Sequence, residues 1–353
     1  MTRTESYPLS RFCKPAIYRR VAGLLLSLTV VTGCTSTKLD AAPPTIQPAQ
    51  PAASPPVTAS PAGTVRPLAK PARAATFDQR TQQLVVLTPG AQPEAPATVY
   101  LLQREQTPPR AVAVPGPATA LTGTGDGTAY LAGRGGYFVV DLAAGAVSRV
   151  DVDGARDADF TAIARRADGA VVLGTADGAV YTLSPGTGVV NRAKIAVHVD
   201  SLAAQGNTVV VLDRAQTSVT AIGADGTVGQ ALRAGQGAAS MAADPLGRVL
   251  VADTRGGQLL VYGTDPLILR QAYPVRDAPY GLAGSRGLTW VSQTAANMVI
   301  GYDLSTGIPV ERVRYPTVRQ PNSLAFDDVT DTLYVVAGLG AGVQVIEHAA
   351  GPR

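Results

Sequence analysis

A motif of one apolar residue between two small residues recurs seven times from residue 74 to the C-terminus. Its central positions are 46, 42, 39, 39, 41 and 42 residues apart. A period of about 41 residues is typical of the four-stranded blade of a β-propeller. The sequence therefore predicts an all-β fold in which residues 74–353 form a seven-bladed β-propeller. The central residues are Ala75, Leu121, Ile163, Leu202, Met241, Leu282 and Leu324.

The repeat that starts at Ser240 illustrates the sequence pattern of one blade. After its inner strand, Arg248 to Asp253 and Gln258 to Gly263 are apolar, β-branched runs that predict the second and third strands. Gly, Asp and Pro residues separate the runs, as turns require. The first repeat, Ala74 to Phe77, is the weakest copy, so a six-bladed ring is the alternative.

The last repeat lacks an outer strand, because only His348 to Arg353 follow its third strand. A ring with two open sheet edges is unfavourable, so an N-terminal strand is expected to complete this blade. The candidate is residues 64–68, Thr64 to Leu68. Pro67 is acceptable there because one edge of an outer strand is unpaired.

The N-terminus is typical of a bacterial export signal. Five basic residues in the first 20 precede a 12-residue apolar run, Val21 to Thr32. This run is shorter than the 20 or so residues that span a bilayer. The run ends in the segment Val31-Thr32-Gly33-Cys34, which resembles a lipobox. We therefore expect residues 1–33 to be a signal peptide, cleaved between Gly33 and Cys34, with the Cys34 thiol lipidated and joined to the membrane. Arg19-Arg20 leaves both the general secretory and the twin-arginine route open.

Residues 34–73 are expected to be a disordered tether that starts at the lipidated cysteine. Positions 35–73 contain nine prolines and no aromatic residue. Such a composition buries too little apolar surface to offset its ordering entropy. If it is extended, the tether holds the propeller on the order of 100 Å from the membrane.

Repeats five to seven carry a further resemblance. Ala278 to Ala283 and Gln320 to Ala325 are similar to the "Pro-x-Gly-Ile-Ala" segment of YVTN/NHL-type repeats, and Asn297 to Asp303 is similar to their "Asn-x-Val-x-Val-x-Asp" segment. Together with the lipobox and the Pro-rich stretch, the chain resembles the LppL-type lipoproteins of mycobacteria and their YncE-like relatives. The resemblance implies an extracytoplasmic, lipid-anchored propeller and supplies no catalytic residues.

Function in propellers usually lies on the face formed by the loops between blades and between second and third strands. In this chain those loops carry a polar rim of mixed charge, which could bind an envelope protein, a peptide or a glycan. The candidate binding residues are Arg134, Arg156, His198, Asp200, Arg214, Asp253, Arg255, Asp277, Tyr280, Gln320 and Asn322.

Evidence for an enzyme is sparse. The two histidines, His198 and His348, are 150 residues apart in the sequence, and no G-x-S-x-G motif supplies a nucleophile. An acidic cluster is a weak candidate for calcium, but its spacing differs from an EF-hand loop and turn formation explains it more simply. No cofactor is predicted. The cluster is formed by Asp151, Asp153, Asp157 and Asp159.

The charge of the chain is distributed unevenly. The formal net charge is +4, but residues 1–33 hold five of the 30 basic and one of the 26 acidic residues. The remaining chain is balanced, and only 5% of all residues are aromatic, so a nucleic-acid partner is not expected. The sequence favours a non-enzymatic binding or scaffold protein of the cell envelope. The alternative is an extracytoplasmic propeller enzyme of the lactonase or hydrolase type with a metal in its channel.

Overall fold

Each repeat folds into four short antiparallel strands because its apolar runs are separated by turn residues. A computed structural model describes residues 44–68, 70–104, 108–184 and 188–351, and its regular elements in these ranges are all strands. Second strands such as Gln83–Thr88 are buried along their whole length. Outer strands such as Val189–Lys194 alternate between half-buried and exposed residues, as expected where one face meets solvent.

Twenty-eight strands are present in the described residues. They are β1 (Thr64–Arg66), β2 (Ala74–Asp78), β3 (Gln83–Thr88), β4 (Thr98–Gln103), β5 (Arg110–Ala113), β6 (Ala120–Gly123), β7 (Thr128–Gly133), β8 (Gly136–Asp141), β9 (Ala146–Asp151), β10 (Phe160–Arg165), β11 (Val171–Thr175), β12 (Ala179–Leu183), β13 (Val189–Lys194), β14 (Ser201–Gln205), β15 (Thr208–Asp213), β16 (Ser218–Ile222), β17 (Val228–Arg233), β18 (Ala238–Asp244), β19 (Arg248–Asp253), β20 (Gln258–Thr264), β21 (Leu267–Pro274), β22 (Pro279–Gly284), β23 (Thr289–Gln293), β24 (Met298–Asp303), β25 (Val310–Pro316), β26 (Pro321–Asp327), β27 (Thr332–Ala337) and β28 (Val343–Ile346).

The strands form seven four-stranded antiparallel sheets, which are the blades of the propeller. Blade 1 is β2 to β5, and each following blade takes the next four strands until blade 7, which is β26, β27, β28 and β1. The first strands of consecutive blades are neighbours, and β2 lies beside β26, so the ring is closed. The predicted seven-bladed fold is confirmed, and the six-bladed alternative is wrong.

The N-terminal strand β1 completes blade 7. It pairs antiparallel with β28, with Thr64 opposite Val345 and Arg66 opposite Val343. The strand expected over residues 64–68 thus occupies residues 64–66, and Pro67 lies just beyond its end. Because the outer strand comes from one end of the chain and its partner from the other, unfolding of the last blade requires both ends to separate.

The hydrophobic core is divided among the seven interfaces between adjacent blades. The cluster between blades 6 and 7 is centred on Trp290, which is fully buried and stacks on Phe326 at 5.5 Å between ring centroids. The cluster that closes the ring packs Phe77 of blade 1 on Tyr334 of blade 7 at 5.4 Å. Each blade therefore depends on its two neighbours for burial of its apolar faces.

Residues 44–62 differ from the expectation of a disordered tether. They have no regular secondary structure, but they run along the propeller and exchange hydrogen bonds with it. The reason is that side chains of the propeller loops form hydrogen bonds with the main chain of residues 44–62, so little apolar surface has to be buried to order this segment. We call residues 44–62 the strap. The expected signal peptide, its cleavage site and Cys34 lie outside the described residues.

Candidate functional site

The loops that join second to third strands, and one blade to the next, lie on one side of the ring, which we call the upper face. Buried aspartates connect these loops by accepting hydrogen bonds from their main-chain N–H groups. Asp213, at the end of β15, accepts hydrogen bonds from the main-chain N–H groups of Val197 and His198 at 2.7 and 3.3 Å, and from that of Gln216 at 2.8 Å. The carboxylate therefore fixes an inter-blade loop against the neighbouring loop of the same blade.

Asp253 has the same role in the next blade. It is 1% exposed, and three main-chain N–H groups donate to it at 2.8 to 2.9 Å. Its carboxylate is thus occupied within the fold and holds the loops, although the sequence placed it among the binding residues. The three donors are Gln236, Gly237 and Gly256.

The strap crosses the upper face from blade 7 to blade 4. Its best-held point is Ser54, which is 5% exposed. The Ser54 hydroxyl donates to the carbonyl of Thr294 at 2.7 Å and accepts from the main-chain N–H of Gln320 at 2.8 Å. The Ser54 carbonyl accepts from Arg319 at 3.1 Å. A single serine thus joins the loop inside blade 6 to the loop between blades 6 and 7.

The Gln320 side chain clamps the main chain of the strap. Its Oε1 accepts from the N–H of Ser54 at 3.1 Å, and its Nε2 donates to the carbonyl of Ala52 at 2.8 Å. An amide can bind both groups because, in extended chain, the C=O of one residue and the N–H two residues later point the same way. The Thr294 hydroxyl adds a third contact by accepting from the N–H of Ala52 at 3.1 Å.

Arginines bind the N-terminal half of the strap. Arg255 donates to the carbonyl of Gln47 at 2.8 Å, and Arg214 donates to the carbonyl of Ala49. Ala49 is 6% exposed and lies against Gly237, where a Cβ atom would stand 3.2 Å from that of Ala49. The lack of a side chain at Gly237 therefore leaves room for the strap.

His198 and Asp200 form a small charged group beside Arg214. The His198 Nδ1 lies 3.4 Å from Oδ1 of Asp200, and the main-chain N–H of Arg214 donates to Oδ2 at 2.8 Å. Interaction with the Asp200 carboxylate raises the pKa of the half-buried His198 above its usual value, while burial acts in the opposite direction. The imidazole is thus held in its charged form to higher pH than a free histidine.

The other predicted rim residues divide by exposure. Arg134, Arg156 and Asp277 are exposed, whereas Tyr280 and Asn322 are partly buried. Asn322 accepts from Gln320 at 3.2 Å and so supports the clamp. Of the eleven candidate residues, Arg214, Arg255 and Gln320 contact the strap directly. The structure does not gather the eleven into one pocket.

The four aspartates considered for calcium remain on the surface of blade 2. Asp151, Asp153, Asp157 and Asp159 are exposed, and Asp151 lies 2.6 Å from Nε of Arg149. Over the ranges that the structure describes, no three His, Cys, Asp or Glu side chains are grouped so that they could hold a metal ion. The acidic spacing in the sequence thus does not become a cluster in space.

A cavity of about 380 Å³ lies on the opposite side of the ring, between blades 3 and 4. We call that side the lower face, formed by the loops that join first to second and third to fourth strands. Arg166 and Asp168 line the cavity and form an ion pair with an Nη2–Oδ2 distance of 2.5 Å. The arginine also donates to the carbonyl of Ala224 at 3.0 Å, so its charge is used in joining the two blades.

Comparisons with known proteins agree on the fold. No family model and no curated protein matches the sequence. Solved propellers match the structure, among them virginiamycin B lyase from Staphylococcus aureus, with a TM-score of 0.64 and 11% identity over 80% of this chain and 98% of that one. Hydrazine synthase of Kuenenia stuttgartiensis matches with a TM-score of 0.64 and 15% identity over 81% and 98%. The U3-55K protein matches with a TM-score of 0.64 and 11% identity over 82% and 100%.

These proteins share one architecture although their names are unrelated. The structural similarity therefore shows the propeller fold and indicates nothing about activity. The seven-bladed form is consistent with the resemblance of the repeats to the YVTN/NHL type. In the described residues no helix is long and apolar enough to cross a membrane.

Two residues that bind the strap, Thr294 and Arg319, were not predicted to lie on the rim, whereas Asn297 lies in one of the second-to-third-strand loops that were predicted to form it. The Asn297 Nδ2 donates to the carbonyl of Pro55 at 2.9 Å. Thr294 and Arg319 lie in the loops 294–297 and 317–320, next to the predicted residues Asn297 and Gln320. Their loop positions could be read from the repeats, but the presence of the strap above them could not.

Proposed function

We propose that this chain is a lipid-anchored, extracytoplasmic propeller of the LppL type that binds a cell-envelope partner through its upper face and catalyses no reaction. Cys34 is the anchor, residues 1–33 are removed, and the propeller displays its loops outside the membrane. The partner is an envelope protein, peptide or glycan rather than a nucleic acid, because the chain beyond residue 33 carries no net charge.

The observation that carries the binding role is the occupied upper face. Six side chains of that face donate to or accept from an extended segment of chain, and all of these bonds reach main-chain atoms. A surface that holds one extended segment in this way has the donors and acceptors to hold others. The six are Arg214, Arg255, Thr294, Asn297, Arg319 and Gln320.

The strap also sets the distance between ring and membrane. With the strap bound, ten peptide units connect Cys34 to Pro44, the first described residue. Fully extended, they span at most roughly 35 Å. The ring would then lie much nearer the membrane than the 100 Å or so that a fully free tether allows.

The anchor is tested by replacing Cys34 with serine. We expect the wild-type protein to sediment with membranes and to carry acyl chains by mass spectrometry, and Cys34→Ser to be unacylated. Acylation that is absent from the wild-type protein would contradict the anchor.

The binding role is tested by comparing partners recovered from detergent-solubilised membranes. Arg255→Ala combined with Tyr280→Ala alters the upper face, and Arg286→Ala combined with Ile308→Ala is the matched change on the lower face. We expect only the upper-face variant to lose partners. Identical recoveries, or a tightly bound stoichiometric metal in the purified protein, would favour the enzyme alternative over this proposal.

A further inference from the structure

The strap fills one of two amide clamps on the upper face. Gln320 binds the carbonyl of Ala52 and the N–H of Ser54, so both its oxygen and its nitrogen are used. Asn297 binds the carbonyl of Pro55 through Nδ2, but its Oδ1 has no hydrogen-bond partner among the described residues. Asn297 is 7% exposed, so this oxygen is buried without a donor.

Pro56 explains why the second clamp is half filled. In the Gln320 clamp the residue between the two bound groups is Ala53, whose φ is free to adopt the extended value. The corresponding residue at Asn297 is Pro56, whose ring fixes φ near −65° and favours the three-fold polyproline helix. In that helix the C=O before the proline and the N–H after it no longer point the same way, so the N–H of Val57 does not serve Oδ1.

The backbone of both clamp residues is in the left-handed region. Asn297 has a φ of 51° and Gln320 a φ of 58°. Such values are uncommon for residues other than glycine and persist where the surrounding structure holds them. At the other end of the strap the Arg214 Nε is also buried without a partner among the described residues. The positive φ belongs to the turn, since Thr217 and Gly257 have it at the same position of their loops. The two buried atoms that lack a partner in the described part of the chain, Asn297 Oδ1 and Arg214 Nε, instead indicate a ligand that satisfies more polar atoms than the strap does.

We infer that the upper face is a binding site for an extended, serine-containing peptide segment of a partner protein, and that the strap is a resident ligand which this segment displaces. The partner segment places its serine where Ser54 lies and has a residue other than proline two positions later, so that it fills both clamps. A second copy of this chain is a poorer ligand, because its strap carries the same Pro56.

The strap is held loosely enough to be displaced. Of residues 46–57 only Ala49 and Ser54 are buried, and Gln47, Gln50 and Ala53, which follow one another at every third position, are exposed. The affinity therefore comes from hydrogen bonds, which contribute about 1 kcal/mol each when a water contact is exchanged. Filling the Asn297 clamp adds one such bond and should raise affinity about five-fold.

This inference rests on the upper-face binding role proposed above, but its test uses the purified full chain and synthetic peptides, so it succeeds or fails independently of the Cys34 anchor. Two fluorescent peptides are compared by anisotropy: one with the sequence of residues 46–58, and one in which the position of Pro56 is alanine. The chain is used as wild type and as Ser54→Ala, which weakens the strap, with Ser60→Ala as control.

We expect Ser54→Ala to bind both peptides at least five-fold more tightly than wild type and Ser60→Ala do. The alanine peptide should bind about five-fold more tightly than the native one, and Asn297→Ala in the Ser54→Ala background should abolish that difference. In the wild-type protein, hydrogen exchange at residues 47–54 should rise when the alanine peptide is added. Equal binding to Ser54→Ala and Ser60→Ala, or equal affinity of the two peptides, would overturn the inference.

Discussion

Replacing Gln344 by leucine tests how the N-terminal segment holds the ring closed. Gln344 lies in β28 and has no exposed surface. Its Oε1 accepts from the N–H of Val318 at 3.0 Å, and its Nε2 donates to the carbonyls of Ala62 and Pro316 at 2.8 and 2.9 Å. One side chain therefore joins the last blade, the loop before it and the end of the strap.

Leucine has a similar volume but cannot form these bonds. The N–H of Val318 and the carbonyl of Ala62 would lose this partner, whereas the carbonyl of Pro316 keeps the N–H of Ala62 at 3.0 Å. An unsatisfied buried main-chain group costs about 1–3 kcal/mol, and the apolar side chain offsets some of that cost. We expect Gln344→Leu to lower the free energy of unfolding by about 2–4 kcal/mol and the melting temperature by roughly 5–10 °C.

The matched control is Gln83→Leu. Gln83 is 7% exposed, and its Oε1 has no hydrogen-bond partner among the described residues, so leucine removes less there. We expect its effect to stay within about 1 kcal/mol. Both variants are measured by denaturant unfolding followed through tryptophan fluorescence. If the two variants lower the free energy of unfolding equally, the hydrogen bonds of Gln344 do not hold the ring closed.

Three further predictions concern single side chains. The interaction of charged His198 with Asp200, which raises the pKa of His198, stabilises the folded protein fully below about pH 6.5, and this stabilisation is lost as pH rises through the folded-state pKa. An NMR titration should show that pKa falling in Asp200→Asn, and an unchanged value would contradict the pairing. Burial raises the pKa of Tyr262 to about 12, and its hydroxyl donates to a main-chain carbonyl at 2.7 Å, so Tyr262→Phe should cost about 1 kcal/mol in thermal unfolding. Asp253→Asn should cost about 2–3 kcal/mol, whereas the exposed Asp277→Asn should stay within about 0.5 kcal/mol; equal melting temperatures for those two would argue against a structural Asp253.

The blades could be predicted because each is encoded locally. The run expected as the second strand of blade 5, Arg248 to Asp253, is β19 residue for residue, and the third strand extends one residue beyond its expected end to Thr264. Apolar β-branched runs between turn residues specify such strands without reference to the rest of the chain. The closing strand could be expected as well, because an incomplete last blade demands a partner.

The strap could not be predicted from composition. A Pro- and Ala-rich composition predicts that burial of apolar side chains will not order a segment, and burial is not what orders residues 44–62. The segment is ordered instead by hydrogen bonds to its main chain, from Arg255, Gln320 and their neighbours. Main-chain contacts leave no signature in the residues that are bound, so only Ser54 could have carried a signal.

The candidate rim was predictable as a set of loops and not as a site. The repeat register placed Arg214, Arg255 and Gln320 on the upper face, where the structure has them in contact with the strap. The same register could not distinguish Asp253, whose carboxylate faces main-chain donors, from exposed Asp277. Burial of one side chain depends on the packing of adjacent loops, which the spacing of repeats does not encode.

Photo-cross-linking in the native membrane shows whether a partner contacts the upper face of the propeller. A photo-cross-linking amino acid is placed at Ala295, exposed in an upper-face loop next to the strap, or at Val329, which is 75% exposed on the lower face. We expect a discrete cross-linked species from position 295 and none from position 329, because the partner binds the upper face. Cross-linking from position 329 alone, or equally from both positions, would show that the upper face is not the binding surface.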